Sequence, residues 1–321
     1  MTIDCHAHIS PPDMVRRFPM PPGLGDVEGM IEDKLTRGVR MSIVGSPVGA
    51  GVMAPIPGVD NYAQTVDQLA AFHDWLGGTV ADHPEHLRAL VYVNPFGDDA
   101  HLAAAARTLA NPEFVGFIIN TSVAGRYLDD PRCDGFFAMA AEHDVPVMLH
   151  APAWPAAGAG LTDPLLLEGI GRFDDVSTGT ACVIFGGWLE KYPGLRLIAT
   201  AAGGALALLV ERLDRAYHAP HWGGGRPRGE GGWPISRPPS TFLRQIWVDT
   251  ATPSRVALRA ALAVFGSDRI LFGTDSPPLP DVVGDGLRAL EEVSPSAEQL
   301  RAMCHENAAR LFGLPVHTTT M

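Results

Sequence analysis

Short apolar runs alternate with longer amphipathic segments along the whole chain, and this alternation predicts an α/β fold. Most runs are continuous and rich in Val, Ile and Leu, as expected of parallel strands that are buried on both faces. The predicted strands are Thr2–His6, Arg40–Val44, Leu87–Val93, Val115–Asn120, Val145–His150, Leu195–Ala201, Gln245–Thr250 and Ile270–Asp275. The predicted helices are Tyr62–Asp82, Ala100–Leu109, Phe136–His143, Ala181–Lys191, Gly204–Ala216, Pro253–Phe265 and Pro295–Phe312.

Strands that alternate with helices over 321 residues fit a closed (β/α)8 TIM barrel, with a single domain spanning residues 1–321. The alternative is a doubly wound open sheet, which needs a glycine-rich phosphate-binding turn after the first strand. That position instead holds the sequence His6-Ala7-His8-Ile9-Ser10-Pro11-Pro12. The barrel is therefore the favoured fold.

Two long irregular stretches interrupt the repeat, Ser46–Gly58 and Pro220–Pro239. Both occupy connections that follow a strand, on the side where barrels keep their active sites. We expect the Gly/Pro-rich residues 220–239 to form a lid or a contact between subunits, with a disordered insertion as the alternative.

Four residues with metal-binding side chains lie at predicted strand ends. His6 and His8 are two residues apart on a strand and so point to the same side. His150 and Asp275 end two further strands, and the strand ends of a barrel converge on one mouth. Taken alone, His150 could as well be a core histidine as a metal ligand, and Asp275 could as well be a helix cap. Together the four predict a site for one divalent ion, zinc first, with manganese or iron as alternatives.

The amino-acid composition limits the classes of partner that the protein can bind. The net charge of −12 disfavours nucleic acid and anionic membranes, which need a basic surface. No apolar run is long enough to cross a membrane, and the chain starts without a signal-peptide pattern. The four cysteines are dispersed, which indicates reduced thiols. We therefore expect a cytoplasmic protein that acts on a small molecule.

Several motifs also resemble the amidohydrolase-related (amidohydrolase 2) family of the amidohydrolase superfamily, typified by aminocarboxymuconate semialdehyde decarboxylase. The resemblance covers nearly the whole chain. It implies a distorted barrel, a mononuclear ion held by His6, His8, His150 and Asp275, and a homodimer. The motifs are Ile3-Asp4-Cys5-His6-Ala7-His8, Pro146-Val147-Met148-Leu149-His150, Trp247-Val248-Asp249-Thr250, Ile270-Leu271-Phe272-Gly273-Thr274-Asp275 and Asn307-Ala308-Ala309-Arg310-Leu311-Phe312-Gly313-Leu314.

The chain departs from that family at three places. Ala201 stands where the family has an acid/base histidine after strand six, and alanine cannot move protons. No arginine near Met30–Asp33 matches the one with which the decarboxylases hold a substrate carboxylate, whereas Arg212 matches a second family arginine. Arg212 is equally explained as part of an ion pair on a helix surface. Strand four ends in Asn120 and Thr121 rather than the bridging lysine of dinuclear relatives, which favours one ion.

These features predict a metal-dependent enzyme, either a hydrolase or a decarboxylase, acting on a small carboxylate or carbonyl compound. Asp275 is the expected proton carrier beside the ion, and His218 and His221 are the candidates to replace the missing histidine. Trp154, together with Arg212, is expected to contact substrate. Two alternatives remain open: an oxygen-dependent enzyme that uses iron or manganese, and an inactive barrel that serves as a partner subunit or binding scaffold.

Overall fold

Eight parallel strands form one sheet that closes into a barrel, which confirms the predicted (β/α)8 fold. The computed structural model describes residues 2–53, 59–219, 234–251, 254–279 and 281–315. Within the sheet the strands follow one another in the order β1-β2-β3-β4-β7-β8-β9-β10. Their bounds are β1 (Thr2–His8), β2 (Val39–Gly45), β3 (Leu87–Tyr92), β4 (Phe114–Asn120), β7 (Pro146–His150), β8 (Arg196–Ala199), β9 (Trp247–Asp249) and β10 (Ile270–Leu271), while β5 (Ser122–Val123) and β6 (Arg126–Tyr127) form a separate antiparallel hairpin.

The first and last strands meet through a few backbone hydrogen bonds rather than a regular ladder. The N–H of Cys5 donates to the carbonyl of Phe272 (2.9 Å), and the N–H of His8 donates to the carbonyl of Ser276 (3.1 Å). The barrel is therefore irregular at the seam between β1 and β10, which is also where three of the predicted metal ligands lie, His6, His8 and Asp275.

Helices surround the barrel, and none of those in the described ranges is long and apolar enough to cross a membrane. They are α1 (Pro12–Arg17), α2 (Val27–Thr36), α3 (Val66–Asp82), α4 (Asp99–Leu109), α5 (Asp134–His143), α6 (Pro164–Leu166), α7 (Arg172–Phe185), α8 (Trp188–Lys191), α9 (Thr200–Gly203), α10 (Val210–His218), α11 (Ser240–Leu243), α12 (Arg255–Val264), α13 (Val282–Val293), α14 (Ala297–Arg301) and α15 (Asn307–Leu311). Two π-helical segments, Leu167–Gly171 and Ala302–Glu306, precede α7 and α15.

Local capping explains several helix bounds that the apolar pattern misplaces. α3 begins later than predicted because the side chains of Thr65 and Gln68 form a capping box at its start. The helix predicted over Ala181–Lys191 is divided between α7 and α8, because Gly187 adopts a φ of +80° between them. The pattern also does not predict α2 and α13.

The irregular stretch after β2 is ordered by side chains that bond to its backbone. Asn61 accepts from the N–H of Val52 (3.0 Å) and donates to its carbonyl (2.7 Å). Gln64 accepts from the N–H of Ala50 (2.8 Å) and donates to the carbonyl of Val48 (2.7 Å). Residues 54–58, within the predicted Ser46–Gly58 stretch, lie outside the described ranges.

A histidine is buried where α3 packs on the end of β3. The Nε2 of His73 accepts a hydrogen bond from the backbone N–H of Tyr92 (3.1 Å), and His73 is only 5% exposed. Burial disfavours the charged imidazolium and lowers the pKa of His73 from 6.5 to about 4.

We expect this histidine to make the protein sensitive to acid. Between pH 6.5 and about pH 4, the unfolded chain protonates His73 while the folded chain keeps it neutral. The neutral His73 thus contributes to the free energy of unfolding above pH 6.5. This contribution is lost as the pH falls, and the loss from pH 6.5 to about pH 4 is roughly 3 kcal/mol. His73→Gln keeps an acceptor for Tyr92 but does not titrate. Urea unfolding across this range should show a smaller loss for the variant; equal losses would contradict a buried neutral His73.

Candidate metal centre

Four side chains from three places on the barrel rim converge on one point. His6 and His8 come from β1, His150 ends β7, and Asp275 follows β10; their ligand atoms all lie within 4.8 Å of one another. The three imidazole rings have centroids 4.9–5.0 Å apart and are nearly perpendicular to one another. The histidines are buried, whereas the side chain of Asp275 is 30% exposed. The structure thus brings together all four residues that the sequence predicts as ligands.

Hydrogen bonds outside the cluster set the orientation of each ring. Every Nδ1 faces an acceptor that carries no proton, so Nδ1 is the donor in each pair. In the neutral ring this leaves Nε2 with a lone pair, which is the arrangement that metal-binding histidines adopt. The pairs are His6 Nδ1 with Asp249 Oδ2 (2.6 Å), His8 Nδ1 with the Gly45 carbonyl (3.1 Å) and His150 Nδ1 with the Ala151 carbonyl (2.7 Å).

The inner atoms of the cluster are close enough to require a positive charge between them. The Nε2 atoms of His6 and His8 are 3.0 Å apart, and the Asp275 Oδ1 lies 2.9 Å from that of His8 and 3.6 Å from that of His6. Facing lone pairs repel, so either a proton or a cation must lie among them. Three nitrogens and one carboxylate form a donor set that suits a divalent ion.

The charges around the cluster perturb its pKa values in opposite directions. Burial opposes protonation of His6, but Asp249, Asp275 and Asp4 outweigh it and raise the pKa of His6 from 6.5 to about 9. Burial and the two other histidines hold the pKa of His150 well below its ordinary value. Burial would raise the pKa of Asp275, but the three histidines dominate and keep it well below the usual range. The cluster therefore carries an anionic carboxylate and strongly favours one added positive charge.

Asp249, at the end of β9, bonds to a residue of the cluster, and the sequence assigned no role to it. Its Oδ2 accepts from His6, while its Oδ1 accepts from the backbone N–H groups of Ala201 (2.8 Å) and Ala251 (3.1 Å). The sequence offered one signal for such a role, because Asp249 lies near the end of a predicted strand, within the motif Trp247-Val248-Asp249-Thr250. Gly273 permits this contact, since a Cβ there would lie 2.9 Å from the Cβ atoms of both His6 and Asp249.

The end of strand six differs from the prediction. β8 ends at Ala199 instead of continuing to Ala201, because Ala201 and Ala202 adopt left-handed conformations with φ of 52° and 57°. The hydrogen bond from Ala201 to Asp249 places this turn next to the partner of His6. Ala201 thus lies close to the cluster, but its methyl group offers no proton.

The other predicted site residues are exposed or lie outside the described residues. Arg212 and His218 are exposed on α10, and Trp154 is 47% exposed on the segment that follows His150. His221 lies outside the described residues, as do residues 220–233 of the predicted 220–239 loop. For Arg212, His218, His221 and Trp154, the proposed roles stay predictions.

A buried carboxylate in α7 anchors the segment after His150. Asp175 is fully buried and accepts hydrogen bonds from four neighbours. These are the hydroxyls of Thr121 (2.5 Å), Ser122 (2.9 Å) and Tyr127 (2.9 Å) and the backbone N–H of Ala157 (3.0 Å). A buried charge is tolerated when it is bonded in this way, and these bonds link the β5–β6 hairpin to the loop that carries Trp154. Sequence reasoning missed Asp175 because these partners are 18 to 54 residues away along the chain.

Comparison with known proteins agrees with the predicted resemblance. A model of the amidohydrolase family matches residues 3–314. The decarboxylase orsB of Emericella nidulans is 26% identical over 323 residues, covering 92% of this chain and 89% of that protein. The 2-amino-3-carboxymuconate-6-semialdehyde decarboxylase of Dictyostelium discoideum is 21% identical over 272 residues, covering 82% of this chain and 72% of that protein.

Solved structures show the same fold. The 5-carboxyvanillate decarboxylase LigW of Sphingomonas paucimobilis superimposes with a TM-score of 0.81 at 20% identity, covering 98% of this chain and 99% of that one. A dihydroxybenzoic acid decarboxylase of a Polaromonas species, solved with manganese and the inhibitor 2-nitroresorcinol, gives a TM-score of 0.76 at 20% identity, covering 97% and 96%.

Proposed function

Because the chain belongs to the amidohydrolase family, we propose that it is a metal-dependent decarboxylase acting on a small aromatic or unsaturated carboxylic acid. The observation that carries the proposal is the convergence of His6, His8, His150 and Asp275 at the rim of this barrel. The four relatives described above are all named as decarboxylases, which favours carbon–carbon cleavage over hydrolysis.

We propose that the three Nε2 atoms and the Asp275 carboxylate hold one divalent ion. When bound, such an ion supplies a Lewis acid that stabilises negative charge on substrate oxygens. Three histidines and a carboxylate suit zinc, while the manganese in the Polaromonas relative makes manganese the second candidate. The Nδ1 contacts of His6, His8 and His150 support the proposal, because they leave every Nε2 lone pair directed inward.

The chemistry then requires a proton to replace the carboxylate that leaves. Cleavage of the carbon–carbon bond releases carbon dioxide and leaves the bonding electron pair on the substrate carbon, which takes up a proton. Ala201 cannot supply it. The side chain of Asp275 is partly exposed, so we propose that it passes a proton from solvent to the carbon; because the pKa of its carboxyl is low, it would hold that proton only briefly. His218 and His221 are the alternative carriers that we proposed from the sequence.

A metal-dependence experiment tests this function. The protein is stripped with a chelator, reconstituted separately with zinc and manganese, and incubated with a panel of hydroxybenzoic acids while carbon dioxide and the decarboxylated product are measured. We expect no turnover without metal and recovery with one of the two ions. Hydrolysis of lactones or amides without carbon dioxide release, or turnover unaffected by the chelator, would contradict the proposal.

We further propose that the enzyme is a cytoplasmic homodimer in which Arg212 and residues 220–239 lie at or near the subunit contact. Support comes from apolar side chains left exposed, Leu208 at 72%, Leu165 at 79% and Ile170 at 51%. All four cysteines are free, as expected in a reducing compartment. Light scattering should give twice the 34.2 kDa mass of one chain, and a monomer would overturn the assembly.

A further inference from the structure

A buried ion pair lies directly behind the cluster. The Nζ of Lys34, in α2, is 2.7 Å from the Oδ2 of Asp4, in β1, and the two side chains are only 3% and 0% exposed. The chain has just two lysines, and the other, Lys191, is 52% exposed in a surface pair with Asp134. Buried charges are costly unless paired and hydrogen-bonded, so the contacts of this pair indicate what it does.

Asp4 bonds to the backbone at the irregular part of β1. The register between β1 and β2 shifts between Asp4 and Ala7, which pair with Ser42 and Val44, so over this stretch β1 holds one residue more than β2. This is the geometry of a β-bulge, and a bulge disrupts the local ladder. The N–H of His6, inside the bulge, donates to the Oδ1 of Asp4 (3.1 Å). The Asp4 carboxylate therefore supplies the hydrogen-bond acceptor that a neighbouring strand would supply in a regular ladder, and it does so for His6, a predicted metal ligand.

The same carboxylate reaches across the seam to the segment after β10. Its Oδ1 also accepts from the N–H of Thr274 (3.1 Å), and its Oδ2 accepts from the Thr274 hydroxyl (2.6 Å). Thr274 precedes Asp275, whose φ of 57° is left-handed. The N–H of Asp275 donates to the carbonyl of His6 (2.8 Å), so the two backbones are joined at this point. One carboxylate thus fixes both sides of the seam.

We infer that Lys34 and Asp4 form a positioning pair that fixes the backbone of His6 relative to that of Asp275, and so sets the affinity and geometry with which the cluster holds a divalent ion. The inference rests on the metal site proposed above. Lys34 is not one of the four residues of the cluster; it acts by holding the Asp4 carboxylate in place. Without the ammonium group, the buried Asp4 carboxylate loses its ion-pair partner and is expected to move.

The test replaces the lysine by a side chain of similar length without charge. Lys34→Met is stripped of metal and titrated with Co²⁺ in competition with a chelating dye, and the visible absorption of bound Co²⁺ is recorded because it reports coordination geometry. We expect binding ten- to one hundredfold weaker than in the unaltered protein, in the range seen when outer partners of metal ligands are removed, together with altered absorption bands. Lys191→Met is the matched control and should bind Co²⁺ as the unaltered protein does.

A second variant separates positioning from folding. Asp4→Asn combined with Lys34→Met removes both charges and retains an amide oxygen as acceptor, so it is expected to keep the fold if Lys34→Met alone does not. We expect its Co²⁺ affinity to remain lowered. The inference is overturned if the folded variants bind Co²⁺ with unaltered affinity and spectrum. If the unaltered protein itself binds no Co²⁺, the metal site is wrong and the inference falls with it, which distinguishes the two failures.

Discussion

His150→Ala is expected to remove bound metal and turnover together. Among the described residues, His150 is the only proposed ligand from β7, so no other side chain of the cluster can take its place; its Nδ1 bonds to the carbonyl of Ala151. The loss should exceed the roughly 100-fold that removal of an outer partner costs, because a ligand itself is lost. Metal content after purification and after reconstitution, followed by product formation under saturating metal, measures both effects.

The matched control is His143→Ala, which removes an exposed histidine at the end of α5. It should keep metal content and activity. The thermal midpoint of metal-free His150→Ala should be close to that of the metal-free parent, which shows that the fold is intact. A His150→Ala protein that retains one tightly bound ion and full turnover would refute the ligand set.

Asp249→Asn is expected to weaken metal binding ten- to one hundredfold while all four ligands remain. The carboxylate of Asp249 now accepts from three donors, His6 Nδ1 and the N–H groups of Ala201 and Ala251. An amide cannot do so: if its oxygen faces His6, its NH2 meets the two backbone donors, and if it is flipped, His6 faces a donor. The conflict turns the ring or changes its tautomer.

The same substitution should lower the pKa of His6, because the charge of Asp249 is the strongest of the effects that raise it to about 9. Competition titration with a chelating dye gives the affinity, and NMR titration of the metal-free protein gives the pKa. Asp174→Asn is the control, since Asp174 is an exposed carboxylate on α7. Unchanged affinity and an unchanged His6 pKa would show that Asp249 does not orient the ring.

The predicted strand ends were less accurate than the predicted strands. The predicted sixth strand ends at Ala201, but the corresponding strand β8 ends at Ala199. The predicted eighth strand ends at Asp275, but the corresponding strand β10 ends at Leu271. Both segments turn where a residue other than glycine adopts a positive φ. Alanine rarely adopts that conformation and aspartate has only a statistical preference for it, so surrounding contacts, such as the bond from Ala201 to Asp249, impose it.

The sequence also could not predict the contacts of Asp249, Asp4 and Lys34. Asp249 is 243 residues from His6, and Lys34 is 30 residues from Asp4. A carboxylate at a strand end is a common cap, and a lone lysine in a helix is ordinarily a solvated residue. Only the closed barrel shows that these groups lie behind the ligands rather than in water.

The barrel and the convergence of four metal-binding side chains could be predicted from the sequence. Both follow from short-range rules: buried parallel strands are continuous apolar runs, side chains two apart on a strand share a face, and strand ends meet at one rim. The sequence also has an alanine, Ala201, where the family resemblance predicts a proton-carrying histidine. The three-dimensional fold was needed to show which nitrogen of each histidine faces inward, which carboxylates lie behind the histidines, and how the seam between β1 and β10 is held. Those features depend on contacts between residues far apart in the chain, and such contacts exist only once the barrel has closed.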